Sequence, residues 1–112
     1  MKMKELEIAL KTLDDHKATE IESIDVRNHN PFASYIVLAT CSNIRALGAL
    51  AEILEEEFEK NNIDIRVKEG QPDSGWMIVE AGEVIVHLLL DVNRKELKLE
   101  DLLNRLNEKS SK

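Results

Sequence analysis

The sequence predicts an α/β fold: a single domain built on a mixed five-stranded sheet with flanking helices, in the order α-β-β-α-β-β-β-α. Three observations carry this prediction. Segments with apolar residues at the three-four spacing of a helical face occur near both ends and in the middle of the chain. Short runs rich in Val and Ile lie between them, bounded by Gly, Pro and Asn. The two kinds of segment interleave, which argues for a sheet covered by helices, and a hairpin within the series makes that sheet mixed.

Residues 3–14 read as the first helix, with Met3, Leu6, Leu10 and Leu13 on one face. "EIESIDV" (20–26) reads as a short strand, and "NHNP" (28–31) as a turn-rich link. "SYIVLAT" (34–40) is nearly continuous in apolar residues, the pattern of an interior strand. A helix then starts near Ser42 or Asn43, either of which can cap its free amides. Ile44, Leu47, Ala51, Leu54 and Phe58 are its expected buried face. Glu55, Glu56, Glu57 and Glu59 crowd its end, opposing the helix dipole on what reads as a solvated face. Asn61-Asn62 ends it, and "IDIRVKEG" (63–70) reads as a charged edge strand. "GWMIVEAGEVIVH" (75–87) supplies the last two strands as a hairpin. A final helix is expected to carry Leu99, Leu102, Leu103 and Leu106, and the tail 107–112 is expected to fray.

Length fits one domain, residues 1–112, with its core at about 4–106. Hydrophobic residues make up 43% and charged residues 33%, enough for one core and too much apolar material for a disordered chain. No apolar run approaches the ~20 residues needed to span a bilayer. The charged start "MKMKELEIAL" and the single Cys41 are read as cytoplasmic features. Net charge is −7, which disfavours a direct grip on nucleic acid and is compatible with a basic partner.

The hairpin separates into two faces by alternation. With Ala81-Gly82 as a two-residue loop, Glu80 would pair with Glu83, Ile78 with Ile85 and Trp76 with His87. One face then holds Met77, Val79, Val84, Val86 and Leu88, the seat for the helices. The other holds Trp76, Ile78, Glu80, Glu83, Ile85, His87 and Leu89. That mixed face is either covered by the rest of the chain, the usual fate of a lone Trp or His, or is an exposed patch rimmed by charge, of the kind that marks partner sites. The charged groups beside the apolar ones favour the exposed patch.

Enzymatic readings are weak. Phosphate chemistry calls for a small-residue loop and closely spaced carboxylates for Mg²⁺. Asp14-Asp15 sit at a helix end, and Glu80 and Glu83 would hang beside a turn. Cys41 lies between a strand and a helix N-terminus, where a thiol pKa falls, and His87 would serve as its base. A small residue filling a small space is the favoured reading of Cys41. His16, His29, His87 and Cys41 show no zinc spacing, so no metal and no cofactor is expected.

"SIDVRN", "SYIVLATCSNIRALGALAE", "GWMIVEAGEVIVHLLL" and "NRKELKLEDLL", in this order and spacing, resemble the ribosomal silencing factor family, also called the Iojap or YbeB family. Trp76 followed by "IVEAGEVIVH" is the most specific part, and Asp25, Thr40, Arg45, Arg94, Leu99 and Glu100 also fall on family positions. Several positions depart from the pattern: Cys41 where Gly is usual, Asn43 for Ser, Ser34 for Asp, Glu96 and Leu97 for aromatics, and Leu103 for Trp. The resemblance implies a nucleotidyltransferase-like fold without catalysis. It also implies binding to the large ribosomal subunit at ribosomal protein L-fourteen, blocking small-subunit joining and lowering translation when nutrients are scarce. Assistance to large-subunit assembly is a further implication. The expected contact set is Trp76, Ile78, Glu80, Glu83, Ile85, His87 and Leu89, with Arg45, Arg94 and Tyr35 as secondary contacts and rRNA touched at most in a minor way. A cysteine-dependent or carboxylate enzyme and a structural homodimer using the same patch are the rival readings.

Overall fold

A computed structural model of the chain describes residues 3–28, 31, 33–98 and 101–103. Its elements are α1 (Lys4–Asp15), β1 (Thr19–Asp25), β2 (Tyr35–Cys41), α2 (Ile44–Lys60), β3 (Ile65–Glu69), a 3-10 turn at Pro72–Ser74, β4 (Trp76–Ala81), β5 (Val84–Leu90) and α3 (Asp91–Glu96). The five strands form one sheet in the order β1-β2-β5-β4-β3. Only β2 and β5 run parallel, so the sheet is mixed as the sequence implies. The apolar run of β2 is interior and the charged β3 is an edge.

Both helical periodicities match a buried stripe. Ala9 and Leu13 of α1 join Leu47, Leu50, Ala51, Leu54 and Phe58 of α2 over one sheet face. That face presents Val37, Ala39 and Cys41 from β2, Met77, Val79 and Ala81 from β4, and Val84, Val86 and Leu88 from β5. Asn43 is the cap of α2, its Oδ1 accepting the amide of Ala46 at 2.8 Å. Ile44, expected inside, stays 46% exposed, because it occupies the first turn just after β2 ends, while Leu50, not predicted, is buried. The acidic end of α2 is solvated: Glu57 pairs with Lys60 at 3.1 Å and Glu55 with Lys68 of β3 at 3.2 Å.

The opposite face is covered too. Ile36 and Leu38 of β2, Ile78 of β4 and Ile85 and Leu89 of β5 pack with Val26, Ala33 and Leu102, and Ile24, Trp76, Leu97 and Leu103 lean on that cluster.

The C-terminal part differs from the prediction. A helix forms at once after β5, over Asp91–Glu96, where apolar periodicity is missing and Val92 is 61% exposed. Its residues favour it differently: Asp91 lies in the first turn, Arg94 and Lys95 in the last, and Asp91 pairs with Lys95 at 3.0 Å. Residues 101–103 are helical as expected. His29, Leu99, Glu100, Leu106 and the tail 107–112 lie outside the described residues.

Leu54 and Phe58 are fully buried under the sheet. Leu54→Ala should cost about 2–5 kcal/mol and Phe58→Ala about 3–5 kcal/mol of unfolding free energy, whereas Ile44→Ala should stay within about 0.5 kcal/mol. Urea denaturation at unchanged m-value measures all three.

Candidate functional site

The hairpin forms, with a register different from the one predicted. Ala81 pairs with Val84, Glu80 with Ile85, Ile78 with His87 and Trp76 with Leu89. The loop is therefore Gly82-Glu83 rather than Ala81-Gly82, and Glu80–Glu83, Ile78–Ile85 and Trp76–His87 are not direct partners. Gly82 has a φ of +57° at the first loop position, which suits glycine in a type II′ hairpin turn. A Cβ there would lie 2.4 Å from a carboxylate oxygen of Glu5. The slip is two residues, so every side chain keeps its face.

Trp76 opens β4 directly after Gly75, whose φ of +81° turns the chain out of the 3-10 segment. The Gly75 carbonyl accepts the amide of Leu90, and Asn93 of α3 donates to the Ser74 carbonyl, so the entry to β4 is strapped to the end of β5. Trp76 Nε1 donates to His87 Nδ1 at 2.9 Å, and the two rings are 5.7 Å apart and tilted by 49°. Trp76 is half-buried, whereas His87 is only 2% exposed.

The mixed face is thus not the open patch that its composition suggested. Ile78, Glu80, Ile85, His87 and Leu89 are all buried in the folded chain. Alternation sorts side chains between faces but does not say what covers each face; here Val26, Ala33 and Leu102 pack over this one. Glu80 lies 3.7 Å from the guanidinium of Arg66, a residue of β3 that the sequence reading had not linked to it. Trp76 and Glu83 are the members of the predicted set that reach solvent. Glu83 sits at the hairpin tip, its carboxylate accepting from Ser34 Oγ at 2.7 Å and its amide donating to Glu5 at 3.3 Å.

The secondary residues separate. Arg45 is exposed. Arg94 is turned inward, its side chain 13% exposed. It donates to the Glu20 carbonyl at 2.9 Å, to Thr40 Oγ1 at 3.2 Å and to the Glu22 carboxylate at 3.0 Å. Tyr35 is half-buried beneath the guanidinium of Arg27, 5.5 Å from the ring centre. Arg27 also grips Asp25, and these hydrogen bonds hold that carboxyl down at about 2.

The enzymatic alternatives lose their geometry. Cys41 ends β2 on the helix-covered face, while His87 points to the other side of the sheet. Burial raises the Cys41 thiol to about 11, overriding the helix N-terminus that was expected to lower it. Glu80 and Glu83 are not cross-strand partners. Among the described residues no group of three or more His, Cys, Asp or Glu could hold a metal ion. No helix among them is long and apolar enough to cross a membrane.

Fold and site together define a class: a small α/β domain with a mixed five-stranded sheet, whose hairpin carries a half-buried Trp bonded to a buried His. The chain belongs to the family described as ribosomal silencing factor during starvation, whose model matches residues 2–112. It is 30% identical over 97 residues to the ribosomal silencing factor RsfS of Haemophilus influenzae, covering 87% of this chain and 95% of that protein. Against the factor of the same name from Bacillus subtilis the figures are 27% over 97 residues, 87% and 82%. A crystal structure of a Chromobacterium violaceum protein superposes with a TM-score of 0.83 at 27% identity, over 93% of this chain and 88% of that one. One from Bacillus halodurans, at 23% identity, gives 0.77 over 87% and 90% and speaks for the fold alone.

A raised thiol pKa means that the folded chain holds the Cys41 proton more tightly than the unfolded chain does. The resulting contribution to stability is complete below the unfolded value of 9.0 and is lost as pH rises through about 11. Iodoacetamide at pH 8 should therefore label native Cys41 many-fold more slowly than the urea-unfolded chain, as read by mass spectrometry. Equal rates would contradict the buried thiol.

Proposed function

We propose that this protein is a cytoplasmic, non-enzymatic repressor of translation that needs no cofactor. It docks on the large ribosomal subunit through ribosomal protein L-fourteen and blocks joining of the small subunit by occupying its space. The single observation that carries this reading is family membership over residues 2–112. Two features of the site support it. Trp76, a residue type common among interface anchors, still reaches solvent from a face most of whose hairpin residues are buried. The chain's net charge of −7 suits a basic partner, with Glu83 held at the hairpin tip as a rim charge.

In this reading Trp76 and Glu83 touch the partner. Ile78, Glu80, Ile85, His87 and Leu89 form the layer beneath that fixes the Trp76 ring. Arg45, exposed on the first turn of α2, is the residue left for a minor rRNA contact, while Arg94 and Tyr35 act from within the fold.

Trp76→Ala should weaken large-subunit binding by about 2 kcal/mol, roughly 30-fold. Glu83→Lys should lower the association rate and flatten its salt dependence. Co-sedimentation with purified large subunits, followed by a subunit-joining assay, measures both. A protein that stays at the top of the gradient at low salt, or that binds without reducing joining, sinks the proposal. If the free chain dimerises through Trp76 and ribosomes do not compete with the dimer, a structural homodimer takes its place.

A further inference from the structure

We infer that His87 is the positioning residue for Trp76: its buried imidazole takes up the indole N–H, so that Trp76 offers a partner an apolar contact with no donor left to satisfy. This rests on the docking reading above. Trp has one donor, its ring N–H, and no acceptor. That donor is spent on His87 Nδ1 at 2.9 Å. An acceptor at Nδ1 requires the neutral ring with its proton on Nε2.

The two partners differ in how firmly they are held. His87 lies within β5, flanked by Leu38 of β2 and Ile78 of β4, with 2% of its surface exposed. Trp76 is the first residue of β4, entered from a left-handed glycine, and is only half-buried. A strand end leaves a large side chain free to choose among rotamers. The bond to a ring locked in the sheet centre removes that choice and turns the indole's polar edge inward.

The spent donor restricts what a partner can place against the ring. An acceptor placed against the exposed part of the ring would lose its water and find no donor, which is unfavourable. The matching group is therefore aliphatic: Leu, Ile, Val, Pro or the stem of a Lys or Arg.

The chain has one Trp, so a ¹⁵N-labelled sample gives one indole N–H resonance. In the unaltered protein it should exchange slowly with solvent and show a coupling across the hydrogen bond to an imidazole nitrogen. Fast exchange without coupling overturns the inference, whether or not any variant folds. His87→Leu should weaken large-subunit binding about tenfold, the scale of one buried donor left unpaired. His87→Asn, which keeps an acceptor, should recover most of that loss. The Trp76→Phe/His87→Leu double variant should lose less than the two single losses combined, because it leaves neither partner orphaned. Additive losses, or an Asn variant as weak as the Leu one, overturn the positioning role and leave the docking reading intact. Conversely, unchanged binding by Trp76→Ala overturns the docking reading, while the resonance still decides whether His87 holds the indole.

Discussion

The two-residue repeat of β4 and β5 is the constraint on which the rest of this structure depends. These strands lie between the edges of the sheet and are covered on both sides, so each side chain is committed to one of two packed layers. Met77, Val79 and Ala81 meet the helices, while Trp76, Ile78 and Glu80 meet the opposite cluster. A one-residue slip of either strand would turn Glu80 or His87 beneath α1 and α2, parting it from Arg66 or Trp76, and a buried polar group without its partner is costly. A slip of two residues moves partners along the strand and leaves both layers intact. The actual pairing is chosen at this finer level by the turn, where Gly82 can adopt a positive φ and Glu5 closes against it.

A second constraint ties the far edge of the sheet to the chain beyond β5. β1 carries an irregularity between Thr19 and Glu22, and Glu20 adopts a φ of +48°, a left-handed conformation that costs on the order of 1 kcal/mol for a residue with a side chain. The displaced Glu20 carbonyl does not go unbonded: Arg94 reaches from α3 to it, and to Thr40 and Glu22 as well. Bonds from a charged donor are stronger than neutral ones, so one guanidinium offsets the strain and fastens three elements. The irregular edge also resists pairing with another strand. Thr40 and Arg94, which the sequence reading had placed among family positions without a shared role, turn out to be partners.

How much of this was legible in the sequence varies with the kind of information each feature needs. Alternation and helical spacing are local, so the five strands, the α2 stripe and the membership of both hairpin faces could be read directly. What covers a face is not local. Ile78, Ile85 and Leu89 were assigned to the correct side, but nothing in the hairpin says that Val26, Ala33 and Leu102 close over them. The register is not fixed by alternation: Ala81-Gly82 and Gly82-Glu83 both give two-residue loops with the same faces, and the positive φ of Gly82 at the first loop position selects the second. The helix α3 was missed because it has no apolar stripe, and its Asp91–Lys95 spacing was the available signal. Cys41 fills a small space in the core, as its favoured reading has it, and the rival reactive thiol fails because desolvation outweighs the helix terminus.

The closed face bears on how a chain that docks as proposed can remain a well-behaved protein while free. A bare surface of Ile78, Ile85, Leu89 and Trp76 would be a contiguous apolar patch, which invites self-association. Covering most of it removes that hazard and leaves one large side chain partly in water. Little need be lost in affinity, because interface energy concentrates in a few anchors while many surrounding contacts are near neutral. What matters is whether the anchor must be ordered on binding. A free Trp rotamer gives up conformational entropy when it docks; one already bonded to a buried ring gives up less. In the proposed docking, the buried members of the hairpin face therefore act through Trp76 rather than beside it. Substitutions at Ile78 or His87 would be felt by a partner that touches neither.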